Sequence, residues 1–148
     1  MGFLYYLRFL IVVFILTLAS YEDIKSRTIS NRLIICGCIL GIILVSFEID
    51  ISVAFDALMG FLVGGGILLI IAYISKGGIG MGDVKLMSCI GICLGIGRTL
   101  GTLMMAIICS GIFAAVILLI NKSDKRGTIP FAPFILLGTL IVFWRDFV

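Results

Sequence analysis

Two acidic residues attract attention because of where they occur in an otherwise apolar chain. Asp83 stands near the head of the run GGIGMGDVKLMSCIGICLG, residues 77–95, and Asp23 follows the first long apolar run. The chain contains no histidine, which excludes histidine-based triads and histidine metal sites. Carboxyl groups are therefore the leading candidates for proton transfer, provided that the fold brings two of them together.

A facing pair of carboxylates has a known chemical use. Two nearby negative charges resist joint ionisation, so that the pair holds a single proton. The ionised member can take a proton from water while the protonated member polarises a peptide carbonyl, as in aspartic proteases. The plainer alternative is that these acids are solvated helix caps, because an acid at a helix start complements the positive end of the helix dipole.

The elements that must position these acids are membrane helices. Of the 148 residues 62% are hydrophobic, whereas a soluble domain is about half apolar, and the mean hydropathy is +1.34. This composition predicts an all-α, polytopic bundle in the lipid bilayer, with residues 1–148 forming one domain. The net charge of +3 argues against a nucleic-acid surface. The five cysteines lie in apolar runs without a CxxC motif, so we expect buried thiols, no metal site and no cofactor.

Six apolar runs are candidates for passes through the membrane, and polar residues separate them. They cover residues 3–21, 33–48, 53–75, 83–98, 100–120 and 128–147. The stretch from 83 to 120 is ambiguous, because it contains few polar residues. It could form one long pass or two short passes that meet near Gly97-Arg98-Thr99.

The distribution of positive charge favours six passes. The loops after the first, third and fifth passes carry eight of the eleven Lys and Arg residues, and the other side carries Arg8, Arg98 and Arg145. The positive-inside rule then places the first set in the cytoplasm and both termini outside. The end of the first pass and the start of the fourth share the cytoplasmic face, so Asp23 and Asp83 can meet there.

Glycines precede Asp83 closely. Gly77, Gly78, Gly80 and Gly82 leave the backbone bare, which permits the close approach of another chain. An extended substrate could lie against this backbone, and Gly80 and Gly82 are therefore candidates for substrate binding. A plain loop could tolerate the same glycines.

The segment from Gly80 to Leu86, GMGDVKL, resembles the GxGDxKL signature of type IV prepilin peptidases, which are membrane aspartic proteases. The segment DIKSRTISN, residues 23–31, resembles the family's other motif, an aspartate followed by basic residues and then Ile-Pro-Asn. The segment IPFAPF, residues 129–134, is similar to the proline-containing start of the family's last helix. The order and spacing of these motifs agree across nearly the whole chain.

The resemblance implies that Asp23 and Asp83 are the catalytic pair. It also implies that the partner is a prepilin or pseudopilin precursor, cut at the cytoplasmic membrane face behind a short basic leader. Larger members of the family carry an N-terminal segment with paired CxxC motifs and also methylate the new N-terminus. This sequence has no such segment, so we expect a peptidase without N-methyltransferase activity.

Two features of the first loop qualify this resemblance. Ser30 stands where the family usually has proline, which suggests a looser loop. Glu22 neighbours Asp23 but points about 100° away from it on a helix, and we interpret it as a solvated boundary acid.

Four further residues are supporting candidates. Lys85 could adjust the ionisation of Asp83 or contact lipid phosphate, and Asn31 could order the first loop or cap a helix. Pro130 and Pro133 are expected to set the start of the last helix and could also line the substrate groove.

A small proton-coupled transporter subunit is the alternative class of function. Intramembrane acids and glycine-broken helices also suit ion pathways. Such a protein would have acids near the bilayer midplane, often on internally repeated halves. Here the acids lie towards one face and no long repeat is visible, which favours the peptidase.

Overall fold

The computed structural model describes residues 2–75, 78–120 and 129–145. These residues form five helices, α1 (Gly2–Ser26), α2 (Asn31–Ser46), α3 (Ile51–Ile74), α4 (Met81–Ile120) and α5 (Ala132–Arg145). No strand occurs in these three ranges, and the predicted all-α class is confirmed. Lys76, Gly77 and the predicted cationic loop at residues 121–127 lie outside the described residues.

Three helices are long and apolar enough to cross a membrane, namely Leu4–Ser26, Ile51–Ile74 and Met81–Ile117. α2 and α5 are apolar but shorter, with 16 and 14 residues. Large hydrophobic side chains such as Leu10 and Phe14 point outwards and are more than 60% exposed, as expected for a surface that faces lipid. The chain therefore has the character of a membrane protein.

α4 is divided by a single non-helical residue, Gly95, with φ 73° and ψ 175°. The helical segments on its two sides, 81–94 and 96–120, correspond to the predicted fourth and fifth passes. The break comes earlier than predicted, and Arg98 and Thr99 lie inside the second segment. The reason is a carboxylate on α3, because Asp56 Oδ1 accepts the N–H of Ile96 at 3.0 Å and so caps the second segment.

Gly95 is required at this break for two reasons. Its positive φ is a conformation that side chains other than glycine rarely adopt. A Cβ at this position would also overlap with the carboxylate of Asp56. The first segment of α4 consequently has 14 residues and rises only about 21 Å.

α1 extends beyond the predicted run 3–21 and reaches Ser26, so that Asp23 lies on the helix. The next residue, Arg27, has φ 52°, and its N–H donates to the carbonyl oxygen of Asp23 at 2.9 Å, which closes the helix. Residues 28–30 then lead directly into α2. The acidic residue is thus held on a rigid element rather than in the loop.

α3 packs closely along the first segment of α4. Gly60 and Gly64 make this possible, because a Cβ on Gly60 would overlap with the Gly91 carbonyl oxygen, and one on Gly64 would lie 3.0 Å from the Met87 carbonyl oxygen. Small residues allow such close approach in membrane bundles. Leu86 and Met87 on α4 are fully buried in the resulting core, which fixes the start of α4 and the position of Asp83.

Candidate active site

A cavity of about 260 Å³ lies between the end of α1, the loop that follows it and the start of α4. Asp23 and Asp83 both line this cavity and are 6% and 8% exposed. Their carboxyl groups are close enough to interact electrostatically. The fold therefore brings the two predicted acids together from separate helices. Within residues 2–75, 78–120 and 129–145, no three metal-ligating side chains are grouped to hold a metal ion.

Asp83 is the third residue of α4, and its carboxylate folds back towards the residue before the helix. The Asp83 N–H donates to the Gly80 carbonyl oxygen at 3.1 Å, and the carboxylate Oδ2 lies beside Gly80, 3.3 Å from where a Cβ on that glycine would be. A side chain larger than glycine at position 80 would therefore press on this carboxylate. The other carboxylate oxygen, Oδ1, is buried and has no hydrogen-bond partner among the described residues. This oxygen is therefore an acceptor whose hydrogen-bonding capacity is unused by the described residues.

Asp23 is held by the start of α5. Its Oδ2 accepts the N–H of Ala132, the first residue of that helix, at 3.1 Å. Pro133 has no N–H, and the Phe134 N–H donates to Phe131, so Ala132 supplies the donor at this helix end. This hydrogen bond ties together two residues that lie 109 positions apart and orients the Asp23 carboxylate.

Pro130 and Pro133 flank the start of α5, which begins at Ala132 rather than at residue 128. Pro133 is the second residue of the helix and Pro130 lies two residues before its start, and their influence on this helix start stays a prediction. Neither is among the described residues that line the cavity, so a place in the substrate groove stays a prediction.

The first loop closes one side of the cavity by packing on the start of α4. Ile29 occupies the space beside Gly82, where an added Cβ would lie 3.3 Å from the Cβ of Ile29. Lys85 Nζ donates to Asn31 Oδ1 at 3.1 Å, which adds a second contact between the loop region and α4. Gly82 therefore accommodates the protein's own loop, while substrate binding by Gly80 and Gly82 stays a prediction.

The supporting candidates Gly80, Gly82, Asn31 and Lys85 all line the cavity beside the two aspartates. The polar contact found for Lys85 is the side chain of Asn31, across 54 residues of sequence. For Asn31 this contact agrees with the alternative that it orders the first loop by hydrogen bonding. For Lys85 a hydrogen bond to Asn31 was neither of the two alternatives.

Glu22 is the residue that the sequence interpretation missed. Its Oε2 accepts the backbone N–H of Ser30 at 2.7 Å, and its side chain is half-buried, so it is not a solvated boundary acid. The prediction considered only the helix, on which the side chains of Glu22 and Asp23 point in different directions. It did not consider that the loop after α1 turns back and brings the N–H of Ser30 to Glu22.

Comparison with known proteins agrees with this geometry. The model of the type IV leader peptidase family matches residues 10–119. The chain belongs to the type IV leader peptidase family. It is also 30% identical, over 136 residues, to the prepilin leader peptidase/N-methyltransferase of Bacillus subtilis (strain 168), and the alignment covers 89% of this chain and 54% of that relative. No solved structure matches the chain significantly.

Family membership confirms the resemblance carried by the motifs. The matched range contains both aspartates and the motif at residues 80–86, whereas the segment IPFAPF lies beyond it. The chain spans about half the length of the curated relative that it matches.

Proposed function

We propose that this protein is an intramembrane aspartic endopeptidase that cleaves the leader from type IV prepilin-like precursors. The observation that carries the proposal is the pair of buried carboxylates, Asp23 and Asp83, which line one cavity from two helices. Membership of a leader peptidase family supports the same chemistry. The acids lie near helix ends at one end of the bundle, which argues against a transporter with acids at the bilayer midplane.

The proposed reaction uses a water molecule placed between the two carboxyl groups. The ionised carboxylate takes a proton from this water, which attacks the peptide carbonyl carbon. The protonated carboxyl group polarises the carbonyl oxygen and stabilises the tetrahedral intermediate. When the intermediate collapses, the C–N bond breaks and the leaving amine receives a proton from the pair. Either aspartate can begin as the base in this scheme.

The cavity also bears on the substrate. Its volume of about 260 Å³ is enough to admit part of an extended peptide beside the two carboxylates, while the preference for a cut behind a glycine comes from the family resemblance. Exposed cations near the cavity, among them Lys25 and Arg27, give this end the positive charge that marks a cytoplasmic face. We therefore propose that cleavage takes place on the cytoplasmic side and that the precursor's apolar helix stays in the bilayer.

The second activity in the name of the Bacillus subtilis relative, N-methylation, forms no part of this proposal. The expected absence of methyltransferase activity stays a prediction.

The test is a reconstitution in which the purified protein is the one enzyme present. The protein is placed in liposomes with a precursor that has a short basic leader, a glycine and an apolar helix, and the products are identified by mass. We expect one cut behind the glycine, and we expect Asp23→Ala and Asp83→Ala to abolish it at equal protein concentration. Normal cleavage by either variant would remove that residue from the mechanism, and no cleavage by the wild type would refute the assignment.

A further inference from the structure

The loop between α1 and α2 is folded back onto the last turn of α1. Ser30 donates its backbone N–H to Glu22 Oε2 at 2.7 Å. Ser26 Oγ, in the same turn, donates to the Glu22 carbonyl oxygen at 2.8 Å and lies 3.0 Å from Thr28 Oγ1. Because Arg27 has a positive φ of 52°, the chain reverses sharply here. Glu22 therefore holds the last residue of a four-residue turn, residues 27–30, against the end of α1.

This loop is a wall of the proposed active site. Thr28 and Ile29 line the cavity together with the two aspartates. Ile29 packs against Gly82, which directly precedes Asp83, and Asn31 accepts a hydrogen bond from Lys85. A loop that moved away from α4 would therefore open the cavity and loosen the positions of both aspartates.

The conformation of Ser30 indicates what the hydrogen bond replaces. Ser30 has φ −64° and ψ 126°, and a proline ring fixes φ near this same value. Proline is the residue expected at this position from the motif, but proline has no N–H to offer. A serine adopts this φ without strain, but it loses more conformational entropy than proline when the loop becomes ordered, and a contact such as the hydrogen bond to Glu22 offsets this cost.

We propose that Glu22 is a positioning residue for peptide cleavage, which acts by holding Ser30 in the conformation that a proline ring would impose. This inference rests on the proposed peptidase function. Glu22 is absent from the described lining of the cavity, so it acts through Ser30 and the loop rather than on the substrate. The hydrogen bond from Ser30 to Glu22 thus takes the place of the restraint that a proline ring at position 30 would provide.

The test uses four variants, Glu22→Ala, Glu22→Gln, Ser30→Pro and the double variant Glu22→Ala with Ser30→Pro. Glu22→Ala removes the acceptor, and we expect cleavage of the precursor described above to fall about tenfold. Glu22→Gln keeps an acceptor oxygen and should stay within about threefold of the wild type. Comparable amounts of each variant in the membrane provide the control for folding.

The double variant gives the decisive comparison. Proline fixes φ without needing Glu22, so adding Ser30→Pro to Glu22→Ala should restore the rate to within about threefold of the wild type. With Glu22 still present, the proline ring would occupy the space of Oε2, so Ser30→Pro alone should be slower than the double variant. A destabilising substitution that merely damaged the fold would not be rescued in this way.

A second measurement follows the loop without using catalysis. Trypsin cuts after the exposed Lys25 and Arg27, and we expect Glu22→Ala to be cut about fivefold faster than the wild type, with the double variant returning to the wild-type rate. Wild-type cleavage rates in Glu22→Ala, or a double variant no faster than Glu22→Ala, would overturn the proposal and leave the peptidase function standing. If the wild type cleaves no precursor, the proposed peptidase function fails. In that case, equal trypsin rates in all variants would also show that Glu22 does not hold the loop.

Discussion

The two ends of the bundle contain the same interaction, a carboxylate that accepts the N–H at the start of a helical segment. At one end Asp23 Oδ2 accepts from Ala132 at 3.1 Å, at the start of α5. At the other end Asp56 Oδ1 accepts from Ile96 at 3.0 Å, where the second segment of α4 begins. Both bonds satisfy backbone donors that a lipid environment would leave without partners.

The surroundings of these two aspartates differ in how their charged neighbours are paired. Asp23 shares its cavity with a second acid, Asp83, and with Arg27 and Lys85, of which Lys85 donates to Asn31. Asp56 lies in a cavity of about 540 Å³ that also contains Arg8, Glu48 and Arg98. There Arg8 Nη2 is 3.1 Å from Glu48 Oε1, so that opposite charges are paired.

This difference separates charge that supports the fold from charge that is available for chemistry. Opposite charges in a partly buried site offset each other's loss of hydration, whereas two acids in one buried cavity raise the free energy of the folded state unless a proton is shared. A like-charge pair is a cost that a purely structural site does not need. This contrast supports the proposal that catalysis takes place at the end with Asp23 and Asp83.

The largest effect is expected for Asp83→Asn, which should lower the cleavage rate without lowering the stability of the protein. Asp83→Asn should lower the cleavage rate by about 1,000-fold or more, because the pair loses a proton-transferring member. The same change removes the like charge facing Asp23, so the midpoint of denaturant unfolding in micelles should stay the same or rise. A clear loss of stability would show that Asp83 is mainly a structural cap.

A large effect on stability is expected at the break in α4. Gly95→Ala places a Cβ against Asp56 at a positive φ, so the free energy of unfolding should fall by more than about 3 kcal/mol. Gly97→Ala is the matched control, because nothing lies within 4 Å of a Cβ at that position. Alanine there should change the stability by no more than about 1 kcal/mol. Equal effects of the two changes in denaturant unfolding would contradict the described break.

An intermediate effect is expected at Asp56. Asp56→Ala leaves the Ile96 N–H without its acceptor and should lower the free energy of unfolding by about 1–3 kcal/mol. The cleavage rate of the protein that remains folded should change little, because this acid lines a different cavity from the proposed catalytic pair. Unfolding curves and cleavage rates of the same preparation measure both quantities, and a loss of catalysis without a loss of stability would break the comparison.

The smallest effect is expected for the pair of Arg8 and Glu48. A double-mutant cycle with Arg8→Ala and Glu48→Ala should give a coupling of about 1 kcal/mol in unfolding, since the two side chains are 11% and 23% exposed. Arg8 also donates to the Leu44 carbonyl oxygen at 3.2 Å, so Arg8→Ala should cost more than Glu48→Ala. No coupling at all would mean that the pair is a solvated contact.

The apolar runs predicted the helices well because hydrocarbon length and backbone hydrogen bonding leave few alternatives in a membrane. The break in α4 was misplaced by a few residues, since Arg98 and Thr99 are the visible polar residues there. The cause of the break is Asp56, a carboxylate on another helix, and its contact with Ile96 spans 40 residues. A local reading of the sequence does not contain that contact.

The same holds for the candidate site, where the motifs indicated the residues but not the contacts that they make with distant parts of the chain. Asp23, Asp83 and the glycines before Asp83 were identified from residue type and motif spacing. The Ala132 N–H on Asp23 was not predicted, because it depends on where the last helix starts in three dimensions. The contact between Glu22 and Ser30 was missed since helical geometry describes the direction of Glu22 but not the return of the loop.

The most direct test of the central claim compares Asp23→Asn with Asp56→Asn. Both changes replace a helix-capping carboxylate by an amide that still offers an acceptor oxygen, so their structural effects are matched. At equal concentrations in liposomes with the precursor, Asp56→Asn should cleave within about threefold of the wild-type rate, and Asp23→Asn should show no detectable cleavage. Equal cleavage rates for the two variants would contradict the claim that the acids at one end of the bundle are the catalyst.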